Sequence, residues 1–124
     1  MLKLATGVDL VEIERLQSAL SRHGGRLLQR IFTPAELAEA GHSPASLAAR
    51  FAAKEAVSKA LGTGIGVVRW REIEILRGPE RQPTLHLHGA ASRIAQELGI
   101  LTWSLSLSHT HACAVAVVVA LGEA

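Results

Sequence analysis

Apolar residues change their spacing several times along this chain, and each change predicts an element. Residues 2 to 9 read as a short strand. From there Leu10, Ile13, Leu16 and Leu20 recur every three or four positions, which predicts a helix that Gly24-Gly25 brings to an end. Thr33-Pro34-Ala35-Glu36 then carries three agreeing helix-start signals: a hydroxyl at the cap, proline at the first helical position, and a glutamate placed to close a capping box. That helix should end by Gly41. Ser43-Pro44 opens another by the same logic, and Leu47, Phe51, Ala52, Val57, Ala60 and Leu61 carry it to the glycines at 62, 64 and 66. It is the longest helix the pattern predicts.

The second half of the chain turns to a period of two. Residues 71 to 77 and 83 to 88 alternate in polarity around Gly78-Pro79 and predict a hairpin, followed by a short helix over 90 to 98 that ends at Gly99. Leu101, Trp103, Leu105 and Leu107 alternate with Thr102, Ser104, Ser106 and Ser108, the mark of a half-buried strand with a uniform hydroxyl face. After a turn at His109-Thr110-His111, Ala112 to Leu121 is nearly all apolar and rich in valine, as expected of a strand covered on both faces. The elements predict an α+β fold, with helices packed on a largely antiparallel sheet in one domain spanning residues 1 to 124.

Composition narrows the function classes. With 48% hydrophobic and 19% charged residues the chain lies far from the signature of disorder. A net charge of +2 is too balanced for general nucleic-acid binding, although the basic surplus concentrates in residues 22 to 30 and 69 to 81, where an anionic ligand or partner would fit. No apolar run approaches the roughly 20 residues of a membrane span, and the N-terminus runs into acidic residues, so a soluble, unexported, cytoplasmic protein is expected. The single cysteine, Cys113, sits in an apolar run and reads as a small buried hydrophobe.

Three clusters carry candidate chemistry. Glu55, Ser58 and Lys59 are three or four positions apart and should share one face near the end of the long helix, where Glu55 and Lys59 read either as an ordinary surface pair or as a functional carboxylate and ammonium. The following Gly62-Thr63-Gly64-Ile65-Gly66 reads either as a helix cap and loop or as a place where phosphate meets backbone without side-chain obstruction. It is not a Walker loop, since no Gly-Lys-Ser/Thr follows. Asp9 stands where the first strand meets the first helix and, with Glu12 three positions on, has capping-box spacing. Asp9 and Glu55 also form the kind of oxygen-ligand pair that magnesium takes together with waters and substrate phosphates. The third cluster is Ser106-Leu107-Ser108-His109-Thr110-His111, whose histidines alone define no metal site.

In order and together, these segments resemble the holo-[acyl-carrier-protein] synthase family of 4′-phosphopantetheinyl transferases. The matching pieces are Gly7-Val8-Asp9 with Glu12-Ile13-Glu14-Arg15, Phe32-Thr33-Pro34-Ala35-Glu36-Leu37, Arg50-Phe51-Ala52-Ala53-Lys54-Glu55-Ala56 with Lys59-Ala60-Leu61-Gly62-Thr63-Gly64, and Ser106-Leu107-Ser108-His109-Thr110. The resemblance implies transfer of 4′-phosphopantetheine from coenzyme A to a serine of apo acyl carrier protein, in fatty acid biosynthesis, with release of adenosine 3′,5′-bisphosphate. It implies Mg²⁺ held by Asp9 and Glu55, Lys59 on the same phosphates, and Glu55 or a metal-bound water as base. Arg50, Pro83, His109 and Thr110 would line the adenosine 3′-phosphate pocket, and Gly62, Thr63 and Gly64 would approach the pyrophosphate. Arg15 would face the acidic helix of the carrier protein, with Arg22 and Arg26 extending that surface. The family also implies a homotrimer with active sites between protomers.

One departure concerns the pocket edge. Many relatives carry an aromatic residue after the serine-histidine-threonine segment, whereas here His111-Ala112-Cys113 follows and the chain has no tyrosine. Two other classes compete on the residues alone. A non-catalytic module binding acidic helical proteins would use Arg15, Arg22 and Arg26 but has no need of Asp9, Glu55 and Lys59 together. A simple nucleotide-binding domain would use the glycines at 62 to 66.

Overall fold

Two antiparallel sheets and four helices account for the computed structural model, which describes residues 1–124. In chain order they are β1 (Leu2–Glu12), α1 (Ile13–Ile31), α2 (Pro34–Ala40), α3 (Pro44–Ala60), a 3₁₀ turn (Trp70–Glu72), β2 (Ile73–Arg77), β3 (Pro83–Leu87), α4 (Gly89–Glu97), β4 (Ile100–His109) and β5 (Cys113–Glu123). The larger sheet has the order β1-β5-β4, and β2 and β3 form the predicted hairpin as a second sheet. The α+β class with antiparallel pairing is as the sequence pattern predicts. No helix is long and apolar enough to cross a membrane.

The long helix α3 lies across the inner face of the larger sheet. Its stripe of Ala48, Ala52, Ala53 and Ala56 is wholly buried, and the small side chains let the helix backbone come close to β1 and β5. Closest is the contact at Gly7, where a β-carbon would stand 1.8 Å from the Ala56 carbonyl oxygen. Only glycine can occupy that position. A smaller apolar group of Ile31, Phe32, Ala40 and Leu47 joins the end of α1 to α2 and the start of α3.

Both proline-led helix starts form as expected. Thr33 accepts from the Glu36 backbone N–H while its own N–H donates to the Glu36 carboxylate, and Ser43 caps α3 through the Ser46 N–H. Four expectations need correction. The first strand runs on to Glu12, because Leu10, Val11 and Glu12 pair in register with Val115, Ala114 and Cys113, and that ladder overrides their helical spacing. Asp9 is therefore a strand residue and caps nothing, and Leu10 is exposed on the outer face of the sheet. Helix α1 continues beyond Gly24, which breaks it locally at φ 63°, because Leu27 and Leu28 are drawn onto the Ile31–Phe32 cluster; at 19 residues the interrupted helix exceeds the 17 of α3.

The fourth correction concerns β5. Ala114, Ala116, Val118 and Ala120 are buried beneath α3, whereas Val117 and Val119 on the opposite face are 44% and 37% exposed. One face of the strand is open in this chain, and the uniform apolar composition hides that alternation. The open face is continuous, with Leu4, Val8 and Leu10 of β1 on one side of β5 and the row Ser104, Ser106, Ser108 of β4 on the other. Cys113 opens β5 on this outer side and is half-buried. In β4 a bulge at Leu101 breaks the alternation and leaves that leucine 72% exposed.

Candidate active site

Helix α3 and strand β1 bring together residues about fifty positions apart. Asp9 lies on the inward face of β1, and Lys59, in the last turn of α3, donates from Nζ to Asp9 Oδ1 at 3.1 Å and to the Val8 carbonyl at 2.9 Å. Glu55 sits one turn earlier and accepts from the Trp70 indole N–H at 3.2 Å. The simple Glu55–Lys59 surface pair is thus not what forms: each group bonds to a different element. Nor does Ser58 share their face. It is fully buried, and its hydroxyl donates back to the Glu55 carbonyl at 2.7 Å.

Asp9 and Glu55 line one groove, with Glu12, Arg15 and Phe51 around them, enclosing about 410 Å³. Two carboxylates and an adjacent ammonium suit a divalent cation with a polyphosphate. Magnesium is commonly held by one or two carboxylates, with waters and phosphate oxygens completing an octahedron. No cluster of three or more His, Cys, Asp or Glu side chains exists that could enclose a metal by itself. The donor set therefore fits magnesium bound jointly with a phosphorylated substrate, and does not fit a closed structural zinc site.

The residues expected at the adenosine end gather elsewhere. Arg50, Pro83 and His109 line a second cavity of about 360 Å³, and His109 and Thr110 border an adjoining groove with Ser43 and Pro44. Arg50 is 5% exposed and firmly held: Nε donates to the Ile75 carbonyl at 3.0 Å, Nη2 to Glu39 at 2.7 Å, and Nη1 to the Ser46 hydroxyl. Thr110 Oγ1 accepts from the backbone N–H groups of Ala112 and Cys113, which shapes the β4–β5 turn. Arg77 and Arg81 line the same cavity as Arg50; in the sequence they were only part of a basic stretch. The two cavities share no lining residue.

At the end of α3 the cap description prevails over the phosphate cradle. The amides of Thr63 and Gly64 both donate to the Ser58 carbonyl at 3.1 Å, and that of Gly62 donates to Lys59 O, so these N–H groups close the helix. What the loop offers a phosphate is the lack of side chains at Gly62 and Gly64, whose φ values are 79° and 65°. Of the arginines expected at a docking surface, Arg15 is exposed and stands 3.6 Å from Glu12, at the rim of the carboxylate groove. Arg22 and Arg26 flank the break at Gly24 and line a shallow groove with Arg30.

Sequence reasoning missed the scaffold beneath these groups. Lys54 and Glu36 are both fully buried and paired at 2.7 Å; Lys54 Nζ also donates to the carbonyls of Trp70 and Ile73 and lies 5.6 Å from the centre of the Phe32 ring. Burial pushes the Lys54 ammonium below its usual pKa, against the opposing pull of Glu36. Glu36 also accepts from the Ile75 N–H, tying α2 to β2. Beside it, Glu74 is held below the usual carboxylate range: burial raises it, but hydrogen bonds from Thr33 and His88 outweigh that. The hint in the sequence was the charge of Lys54 within an otherwise alanine-lined helix face.

Known proteins resemble this chain in sequence and in fold. Residues 5–116 match the family model described as the 4′-phosphopantetheinyl transferase superfamily. The holo-[acyl-carrier-protein] synthase of Herpetosiphon aurantiacus is 51% identical over 126 residues, covering 96% of this chain and 99% of that one. The corresponding protein of Moorella thermoacetica is 54% identical over 117 residues, covering 92% and 91%. Among solved structures, the Helicobacter pylori holo-[acyl-carrier-protein] synthase in complex with coenzyme A superposes with a TM-score of 0.85 at 34% identity, over 93% of this chain and 98% of that one.

Proposed function

This chain belongs to the holo-[acyl-carrier-protein] synthase family, within the 4′-phosphopantetheinyl transferase superfamily, and on that premise we propose that it moves 4′-phosphopantetheine from coenzyme A onto a serine of apo acyl carrier protein. Adenosine 3′,5′-bisphosphate leaves, and the whole of residues 1–124 acts as one transferase domain. The observation that carries this reading is that Asp9 of β1 and Glu55 of α3 line one groove, with the Lys59 ammonium bonded to Asp9. A non-catalytic docking module has no use for that pairing, and a nucleotide-binding domain built on the 62–66 loop would find the amides of Gly62, Thr63, Gly64 and Gly66 already engaged.

Asp9 and Glu55 would hold magnesium, which when bound neutralises charge on the coenzyme A pyrophosphate. Lys59 stands beside Asp9 with its ammonium half-exposed, placed to bind the same pyrophosphate and to give a proton to the departing phosphate. The acceptor serine oxygen attacks the phosphorus that carries the pantetheine arm, the bridging P–O bond breaks, and the serine proton passes to a base, for which Glu55 is one of the carboxylates lining the groove. Arg50, Pro83, His109 and Thr110 would receive the adenosine 3′-phosphate.

The separation of that cavity from the Asp9–Glu55 groove supports a homotrimer in which one protomer's adenosine cavity faces its neighbour's carboxylates. The open apolar face of β1 and β5 supplies a surface that such an assembly would cover. We place the protein in the cytoplasm, serving fatty acid biosynthesis. Sedimentation should return the mass of three chains, and a single-chain mass at micromolar concentration would remove the shared site.

Intact-protein mass spectrometry of an apo acyl carrier protein incubated with this protein, coenzyme A and Mg²⁺ should show the gain of one phosphopantetheine, and none with a chelator. Asp9→Ala and Glu55→Ala should each lower turnover by at least about 100-fold while leaving the circular dichroism spectrum unchanged. Retained turnover in either variant would take the metal role away from that residue. Arg15→Glu, at the exposed rim, should weaken carrier binding about tenfold with coenzyme A binding nearly unchanged, since it reverses one rim charge. An equal loss of both would mean that carrier docking lies elsewhere.

A further inference from the structure

The two carboxylates of the groove are held in different ways. Asp9 is paired with the cation Lys59. Glu55 has a neutral partner instead, the indole N–H of Trp70, on its Oε1 at 3.2 Å. A neutral donor can keep its bond to one carboxylate oxygen while the other oxygen takes a metal, because it brings no positive charge to compete with the ion.

Trp70 is itself gripped from three directions. Its carbonyl accepts from Lys54 Nζ at 2.9 Å, the residue immediately before Glu55 on α3. Its ring lies against Phe51, one turn before Glu55, at 6.0 Å between centroids and a 34° tilt. Its backbone opens the 3₁₀ turn that leads into β2, where Lys54 also binds the Ile73 carbonyl. Helix α3 thus anchors the tryptophan at both ends, and the tryptophan anchors a carboxylate of the same helix. A glutamate with a solvent-facing carboxylate otherwise samples several rotamers, and each must be lost when it binds a ligand.

We propose that Trp70 is a positioning residue for the magnesium site: its indole N–H fixes the Glu55 carboxylate in the conformation that binds the ion with the coenzyme A pyrophosphate. This rests on the assignment of Asp9 and Glu55 under the proposed function. Lys54 and Phe51 act through Trp70, and none of the three touches the reacting atoms.

The test reads metal binding directly. Mn²⁺, which takes the same octahedral oxygen ligands, is titrated into the full-length protein with coenzyme A, and the free ion is followed by its EPR signal. Trp70→Phe keeps a ring against Phe51 and removes only the donor. Its Mn²⁺ dissociation constant should rise about tenfold, the loss typical of removing a hydrogen-bond partner from a metal-ligating side chain. The Mg²⁺ concentration for half-maximal turnover should rise by the same factor, with kcat at saturating Mg²⁺ within about threefold of wild type. An Mn²⁺ constant within twofold of wild type, whatever happens to kcat or Tm, would reduce Trp70 to packing and overturn the proposal. If Trp70→Phe does not fold, 3-benzothienylalanine at position 70, which has sulfur in place of the N–H on the same ring frame, makes the comparison under the same criteria. Asp9→Asn separates the two levels of inference. If it binds Mn²⁺ as wild type does, the metal assignment falls and takes this proposal with it; if it loses Mn²⁺ while Trp70→Phe retains it, only the role of Trp70 falls.

Discussion

Gly7→Ala should leave little folded protein, and whatever folds should turn over at least about 100-fold more slowly. A β-carbon at position 7 would lie 1.8 Å from the carbonyl oxygen of Ala56 and 2.7 Å from its carbonyl carbon. Both are backbone atoms in the C-terminal part of α3, so no rotamer change relieves the clash, and strand and helix must part by more than about 1 Å to restore ordinary contact distances. Overpacking alone costs about 1–3 kcal/mol, occasionally more. Here the displacement also opens the buried seam between the alanine stripe of α3 and the sheet, against a total stability of about 5–15 kcal/mol for a typical domain. The catalytic consequence is separate. Gly7 is two residues from Asp9, and Ala56 follows Glu55, so the wedge sits at the joint that sets the two carboxylates against each other; a misplacement of about 1 Å in such a site costs about 100-fold. Thermal unfolding by circular dichroism and carrier loading by mass spectrometry check both parts. A variant with wild-type Tm and turnover would show that the close approach of β1 to α3 is not required.

Lys54→Met should lower stability by about 3–5 kcal/mol, the range found when one partner of a buried ion pair is removed. Methionine nearly matches the length of the lysine stem, so the loss isolates the ammonium and its three bonds. It would strand the fully buried Glu36 carboxylate with only the N–H groups of Thr33 and Ile75 as donors, would remove the ammonium from the Ile73 carbonyl, and would leave the Trp70 carbonyl only the Ile73 N–H. For a chain of this size the midpoint of thermal unfolding should fall by more than about 10 °C. A fall of less than about 3 °C would mean that the pair contributes little once its desolvation is counted. Since Lys54 also holds Trp70, the variant should share the weakened Mn²⁺ binding of Trp70→Phe in whatever fraction remains folded.

The elements that were legible in the sequence are those whose signals are local. The capping box at Thr33 and Glu36 and the Ser43 cap of α3 formed where their residues predicted, because a cap is satisfied within four residues of itself. The β2–β3 hairpin followed its alternation for the same reason. The boundaries that moved were decided by distant partners. Leu10 to Glu12 joined β1 because β5 offered a ladder more than a hundred residues away, and α1 outran Gly24 because a cluster formed with α2 and α3 awaited its last turn. The valine run of β5 could not reveal its exposed face, since an alternation of alanine with valine looks apolar throughout.

The same division runs through the candidate site. The sequence alone singled out the groups proposed to carry chemistry: Asp9, Glu55 and Lys59 stand out by residue type, spacing and the order of matched segments. Their bonding was decided only by tertiary structure. Lys59 bonds to Asp9 on another element instead of its helical neighbour Glu55, and Glu55 bonds to Trp70, because the approach of β1 at Gly7 and the Lys54 anchor of the 70–73 segment bring those partners within hydrogen-bond distance. Glu36 and Lys54 lie eighteen residues apart and gave no pairing signal, since nothing in a one-dimensional pattern distinguishes a charge that will be desolvated from one that will face water. The chain encodes its candidate reactive groups locally, but their positions follow from long-range packing, in which an absent β-carbon at Gly7 and a buried ammonium at Lys54 hold the carboxylates in place.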